Sequence, residues 1–253
     1  MWDEFPVSIL SDLPKEIICY PKPDEQEKAR RIKELQSIGV KNVRLEGLKK
    51  IYGHQVIGKG CVSIAVLADT ASGLAILKIR RMDADRLDMF HEVQMLNFAN
   101  SSSLGPRLFL YSKNFILMEY IAGSLISEWL NNVRSFRLTK VKAVLKDILT
   151  QCYKMDNIHL DHGELSNASK HVIIRDSDWK PIIIDFESAS RNRRPNNLTS
   201  ICHFIFKNKE LADMMQLSMD SIASNDSNKI LRDYKKIPSK SIFNQILQKY
   251  KLN

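Results

Sequence analysis

Gly58-Lys59-Gly60-Cys61-Val62-Ser63, and the run Leu74-Ala75-Ile76-Leu77-Lys78-Ile79 that follows it, is the stretch that decides the fold. The two glycines lie between segments of strand character, His54-Gln55-Val56-Ile57 before them and Ser63 to Ala68 after them. A glycine turn that opens a helix belongs to dinucleotide-binding folds. A P-loop needs a Lys-Ser/Thr pair. Neither pattern is present. Between two strands, glycines let backbone N–H groups approach phosphate oxygens with no Cβ in the way, although the turn taken alone also reads as an ordinary hairpin. Asp69-Thr70-Ala71-Ser72-Gly73 is turn chemistry and leads into the third strand. Lys78 stands among apolar strand residues, where an ammonium is costly unless it finds a partner.

Working outward, a helix is expected from about Asp83 to Asn97. Glu92 lies three residues from Met89 and Met95 and four from Leu96, so it shares a largely apolar helix face. It is the expected partner of Lys78. Two further strands, Arg107 to Tyr111 and Phe115 to Tyr120, flank a turn at Ser112-Lys113-Asn114. Upstream, Pro21-Lys22-Pro23 breaks structure. Asp24 then caps a helix carrying Ala29, Ile32, Leu35 and Ile38 on one side and ending at Gly39. Beyond Gly123 the chain turns helical. Val141, Val144, Leu145, Ile148, Leu149 and Cys152 repeat at helical spacing and predict one long amphipathic helix. Val172-Ile173-Ile174 and Ile182-Ile183-Ile184 form an expected hairpin around Asp176-Ser177-Asp178. From about Leu198 the chain reads as short helices.

The plan is therefore α+β: an N-terminal extension over 1–50, a sheet lobe with one inserted helix over 51–120, and a reduced helical lobe over 121–253. Ligand sites favour junctions of this kind.

Composition sets bounds. The chain has 253 residues, with 44% hydrophobic content, enough for a real core. No apolar run reaches the ~18 residues of a membrane span. Met1-Trp2-Asp3-Glu4 shows no secretory n-region. Cys19, Cys61, Cys152 and Cys202 are far apart, without paired metal-ligand spacing, and read as reduced thiols of a cytoplasmic protein. Net charge is +9, and from Arg191 to Asn253 there are 12 Lys+Arg against 5 Asp+Glu. That asymmetry points to RNA or another acidic partner, with a solvated basic surface as the plainer reading.

Two polar motifs complete the set. His162-Gly163-Glu164-Leu165 follows the long helix, and Asp185 closes a strand of isoleucines. A carboxylate at a strand end can bind magnesium, which takes one or two protein carboxylates plus phosphate oxygens. Glu164 can accept the proton of an attacking hydroxyl or orient it. His162 reads as structural.

These residues together resemble the protein-kinase-like superfamily over roughly residues 52 to 206. The resemblance is closest to the small archaeal predicted serine/threonine kinases, with echoes of the RIO kinases, the kinase of the tRNA threonylcarbamoyl-modification complex, and aminoglycoside phosphotransferases. It implies a two-lobed fold that uses ATP and magnesium. Gly58 and Gly60 then cradle phosphates, and Lys78 and Glu92 match the strand lysine and its helix partner. The backbone of Glu119 and Ile121 would bind adenine, with Met118 as gatekeeper. Glu164 takes the place of the catalytic aspartate, and Asp185 that of the metal-binding one. The usual second metal ligand falls on Ser169; Asn167 is two residues early and His171 immediately precedes the strand, and Asn167 is the expected substitute. Glu187 replaces a glycine, as in small-molecule phosphotransferases, and Ala-Pro-Glu is absent. The implied function is an atypical Ser/Thr protein kinase, with Ser188 and Ser190 as sites of autophosphorylation. A small-molecule kinase and a nucleotide-binding pseudokinase or ATPase subunit of an RNA-associated complex are the alternatives.

Overall fold

Asp24 caps the helix it was expected to cap: its carboxylate accepts the Glu27 N–H at 2.6 Å, and the helix runs Glu25–Ser37 to a Gly39 at φ +72°. The computed structural model describes residues 7–71, 73–217 and 225–253, so the expected turn residue Ser72 and the first six residues lie outside them. The chain divides into two compact units, residues 1–97 with 106–120, and residues 98–105 with 121–253. Both mix helices with antiparallel strands, so the α+β class holds.

The first unit is built on a seven-stranded antiparallel sheet. Its strands are β1 (Val7–Ile9), β2 (Asn42–Arg44), β5 (Gly58–Lys59), β6 (Ser63–Thr70), β7 (Gly73–Arg80), β8 (Leu108–Tyr111) and β9 (Phe115–Glu119), in the order β1-β2-β6-β7-β9-β8 with β5 also on β6. A separate hairpin, β3 (Lys49–Ile51) and β4 (His54–Val56), precedes the glycine turn. Side chains alternate across a strand. One sheet face carries Ile64, Val66, Ala68, Ala75, Leu77, Ile79, Phe115 and Leu117, all buried. These residues form one core with Leu13, Ile17, Ile18, Leu35, Ile38 and Val40. Residues 10–40, through α1 (Lys15–Ile18) and α2 (Glu25–Ser37), therefore cover this face.

The helix α2 buries Leu35 and Ile38 of its expected stripe and packs Ile32 against the core, with two departures. Ala29 is exposed, while Arg31 is fully buried. The Arg31 guanidinium donates to the carbonyls of Ile18 and Arg80, both at 2.7 Å, to Asn114 Oδ1 at 3.2 Å and to Glu27 Oε1 at 2.9 Å. The planar fork of donors satisfies acceptors from three segments at once, and that sets the helix rotation.

Helix α3 spans Phe90–Ser101, not Asp83–Asn97. Arg81 draws Asp83 aside into an ion pair at 2.8 Å, and Arg80 holds the Arg86 carbonyl at 3.2 Å, so residues 83–86 are tied into a loop. The Asp88 carboxylate then accepts the Phe90 N–H at 3.0 Å. With no breaker before Gly105, the helix continues one turn beyond Asn97.

In the second unit the long helix α5 (Leu138–Asn157) buries the six residues of its expected stripe and adds Met155 and Asp156. The expected hairpin is present as β11 (Val172–Arg175) and β12 (Pro181–Ile183). A third strand, β10 (Gly123–Leu125), joins β11 and was not legible. Gly123 is required there, since a Cβ would sit 2.2 Å from the Ile174 carbonyl oxygen. Helices α4 (Ile126–Asn131), α6 (Asn197–Ile205), α7 (Lys209–Met214), α8 (Asn225–Lys236) and α9 (Lys240–Lys249) complete the unit. Asp156, on α5, ties that helix to α6 and α8. Its buried carboxylate accepts from the Asn197 and Leu198 N–H groups at 3.0 and 3.1 Å, from Asn197 Nδ2 at 2.8 Å and from the Tyr234 hydroxyl at 3.0 Å. Among the described residues no helix is long and apolar enough to cross a membrane.

Candidate functional site

In the first unit, strand register brings two sequence-predicted groups into one row. Gly58 pairs Ala65, Ala65 pairs Lys78, and Lys78 pairs Ile116, across β5, β6, β7 and β9. Paired residues share a sheet face, so Gly58 and Lys78 are on the same face, opposite the α1/α2 core. Neither Gly58 nor Gly60 has a positive φ, and a Cβ on Gly58 would meet only the Ala65 Cβ, at an ordinary 3.6 Å. The fold itself thus makes no demand for glycine at Gly58. The turn is closed by the Gly60 N–H on the Ser63 carbonyl at 2.8 Å, and the Gly60 carbonyl accepts from Arg81 at 2.7 Å.

Helix α3 places Glu92 on this same side. Lys78 Nζ and Glu92 Oε1 form an ion pair, with Glu92 2% exposed. Met89, Val93 and Leu96, close to Glu92 in sequence, are buried as well. A buried pair of this kind is held because removal of either partner strands a charge in a low dielectric. Glu119 ends β9, where its carboxylate accepts the Arg107 N–H at 3.1 Å.

The second unit holds the other predicted residues. Ile121 is buried, and its N–H has no hydrogen-bond acceptor among the described residues. Glu164 follows Gly163, which has φ +88°, and a Cβ at Gly163 would lie 2.6 Å from Arg193 Nη2 and 3.0 Å from the Ser188 carbonyl oxygen. Glycine therefore lets the segment after Asp185 pass close by. Arg193 fixes that passage: its Nη2 donates to the Ser188 carbonyl at 2.6 Å and its Nε pairs Asp161 at 2.9 Å. The result is that Ser188 Oγ donates to Glu164 Oε1 at 2.5 Å.

The other oxygen of Glu164 meets a histidine. His171 Nε2 lies 2.8 Å from Glu164 Oε2, and His171 Nδ1 lies 3.7 Å from Asp185 Oδ2. One buried ring thus stands between the two carboxylates singled out from the sequence. Burial lowers the His171 pKa, against the opposing pull of Asp185 and Glu164. No spacing rule marked His171; the only signal was its place just before β11. Asp185 is a non-glycine residue at φ +71°. Backbone of this kind costs about 1–2 kcal/mol and clusters at functional sites. The carboxylates of Asp185 and Glu187 offer oxygens within 4.8 Å of each other. Asn167 sits at a kink in the short 3₁₀ segment Leu165–Lys170, and its side-chain oxygen accepts from Ser169 Oγ at 3.2 Å.

His162 behaves as a structural group. Its ring is fully buried against Phe186, and its Nε2 meets the Ile184 carbonyl at 3.0 Å. Burial lowers its pKa. Its N–H donates to Asn197 Oδ1 at 2.8 Å, which links the loop to α6.

No protein-family model matches the chain, and no curated protein matches it.

Proposed function

We propose that the chain is an ATP- and magnesium-dependent phosphotransferase to an alcohol group, an atypical Ser/Thr protein kinase of two-lobed organisation. The observation that carries the proposal is the buried Lys78–Glu92 ion pair, in one sheet row with a glycine the fold does not require. Such a pair orients an ammonium toward the α- and β-phosphates of a nucleotide. The Ile121 N–H meets no acceptor among the described residues, which supports a base-binding role for it. Asp185 and Glu187 offer a carboxylate set that fits a hard divalent cation. Bound magnesium would supply charge neutralisation at the phosphate oxygens.

On this reading Glu164 receives the proton of the attacking hydroxyl. A serine hydroxyl already donates to it, which favours a Ser/Thr acceptor and makes Ser188 the first candidate for self-modification. The RNA-associated reading is weaker for a physical reason. Arg193 and Arg194, within the basic stretch that motivates it, donate to Asp161 and to the Lys236 carbonyl.

The test is phosphoryl transfer from γ-labelled ATP to the protein and to Ser/Thr peptide pools. Label is expected with the native chain and lost with Lys78→Ala or Asp185→Ala. Transfer that persists in both variants refutes the assignment. A parallel screen of alcohols and sugars for stimulated ADP release separates a small-molecule kinase from a protein kinase.

A further inference from the structure

His171 carries a nitrogen that the roles assigned above leave unused. The ring is 1% exposed. The Nε2 contact to Glu164 Oε2 at 2.8 Å requires a proton on Nε2, because a carboxylate only accepts. In the neutral ring that leaves a lone pair on Nδ1. This atom is buried and has no hydrogen-bond partner among the described residues. It lies 3.7 Å from Asp185 Oδ2, and the Glu187 carboxylate is close to that of Asp185. A nitrogen lone pair beside a carboxylate is repulsive, and a buried acceptor without a donor is costly. A cation shared by the two atoms removes both penalties. The outer contact to Glu164 is what a ligating imidazole needs, since it fixes the tautomer and the ring orientation.

We propose that His171 Nδ1 and Asp185 Oδ2 are ligands of one divalent cation, and that this mixed nitrogen and oxygen set selects Mn²⁺ over Mg²⁺. Magnesium demands oxygen ligands and keeps its waters, whereas manganese lies on the transition-metal series for which imidazole is a competent donor. Neither Ser169, at the usual ligand position, nor Asn167 supplies such a nitrogen. The inference deepens the phosphotransferase reading, and it rests on that reading only for what the ion does, not for whether it binds.

The experiment uses the metal-stripped full chain and Mn²⁺ alone. Calorimetry should find one site that binds Mn²⁺ about tenfold or more tightly than Mg²⁺. Pulsed electron paramagnetic resonance should show coupling of the bound Mn²⁺ to an imidazole ¹⁴N, converting to the ¹⁵N pattern when histidine is ¹⁵N-labelled. Asp185→Asn and His171→Gln should each weaken Mn²⁺ by about tenfold or more. The labelled native protein needs no substitution, so a variant that fails to fold leaves the spectroscopic answer intact. Mn²⁺ bound without nitrogen coupling, or equal affinity for the two ions, overturns the proposal. ATP-analogue binding is measured separately. Nitrogen-coupled Mn²⁺ in a chain that takes up no nucleotide would sink the phosphotransferase reading and leave this site supported.

Discussion

Replacing Arg31 by methionine keeps an unbranched apolar stem and removes the donors. The guanidinium bridges α2 to the carbonyls of Ile18 and Arg80, each at 2.7 Å. Asn114 Oδ1 stays satisfied by Arg80 Nε at 2.9 Å. One buried and one part-buried carbonyl therefore lose a charged donor, at about 1.5–3 kcal/mol each. Part of this returns because no guanidinium has to be desolvated. The expected net loss is about 3 kcal/mol, or roughly a hundredfold in the opening equilibrium. Hydrogen exchange followed by mass spectrometry on peptides covering β7 and β9 reads this directly. Their protection should fall by about two orders of magnitude at pH 7. Arg31→Lys should not rescue it, since an ammonium cannot reproduce the planar fork. Protection within a factor of two of the native value would show that Arg31 is a passive occupant and that α2 is held by its apolar contacts alone.

Two further outcomes follow from the second unit. Gly163→Ala places a Cβ at φ +88° and 3.0 Å from the Ser188 carbonyl oxygen, so it should cost about 1–2 kcal/mol by thermal denaturation and weaken the Ser188–Glu164 contact. His162 has its pKa lowered by burial, so the unfolded chain takes up a proton near the ordinary histidine value while the native chain does not. Stability is thus full above that value and falls as pH drops below it, by up to about 1.4 kcal/mol per pH unit. His162→Gln should remove this component of the slope between pH 7 and 5, measured by urea unfolding in EDTA; an unchanged slope would assign it elsewhere.

The strands around the glycine turn were legible because they are β-branched, alternate in polarity and are bounded by turn residues. The Lys78–Glu92 contact was legible because a carboxylate on an apolar helix face calls for a cation. What escaped is long-range. Strand β2 is three residues long and pairs with β6 some 25 positions later, where no local pattern marks it. Strand β10 begins on a glycine chosen for close approach, which by local propensity argues against a strand. Arg31 stood outside the expected apolar stripe, because its burial depends on carbonyls 13 and 49 positions away. His171 was passed over for Asn167, since its two carboxylate neighbours come from separate loops and meet it only in three dimensions.

The four thiols are not equivalent. Cys19, Cys152 and Cys202 are buried, and burial pushes their pKa values up, so they stay protonated and shielded from reagents. Cys61 alone is exposed, in the turn that follows Gly60. A maleimide fluorophore should therefore attach to the wild-type polypeptide at a single address, with no engineering. That address adjoins the glycines, so dye emission becomes a direct optical gauge of what arrives beside them.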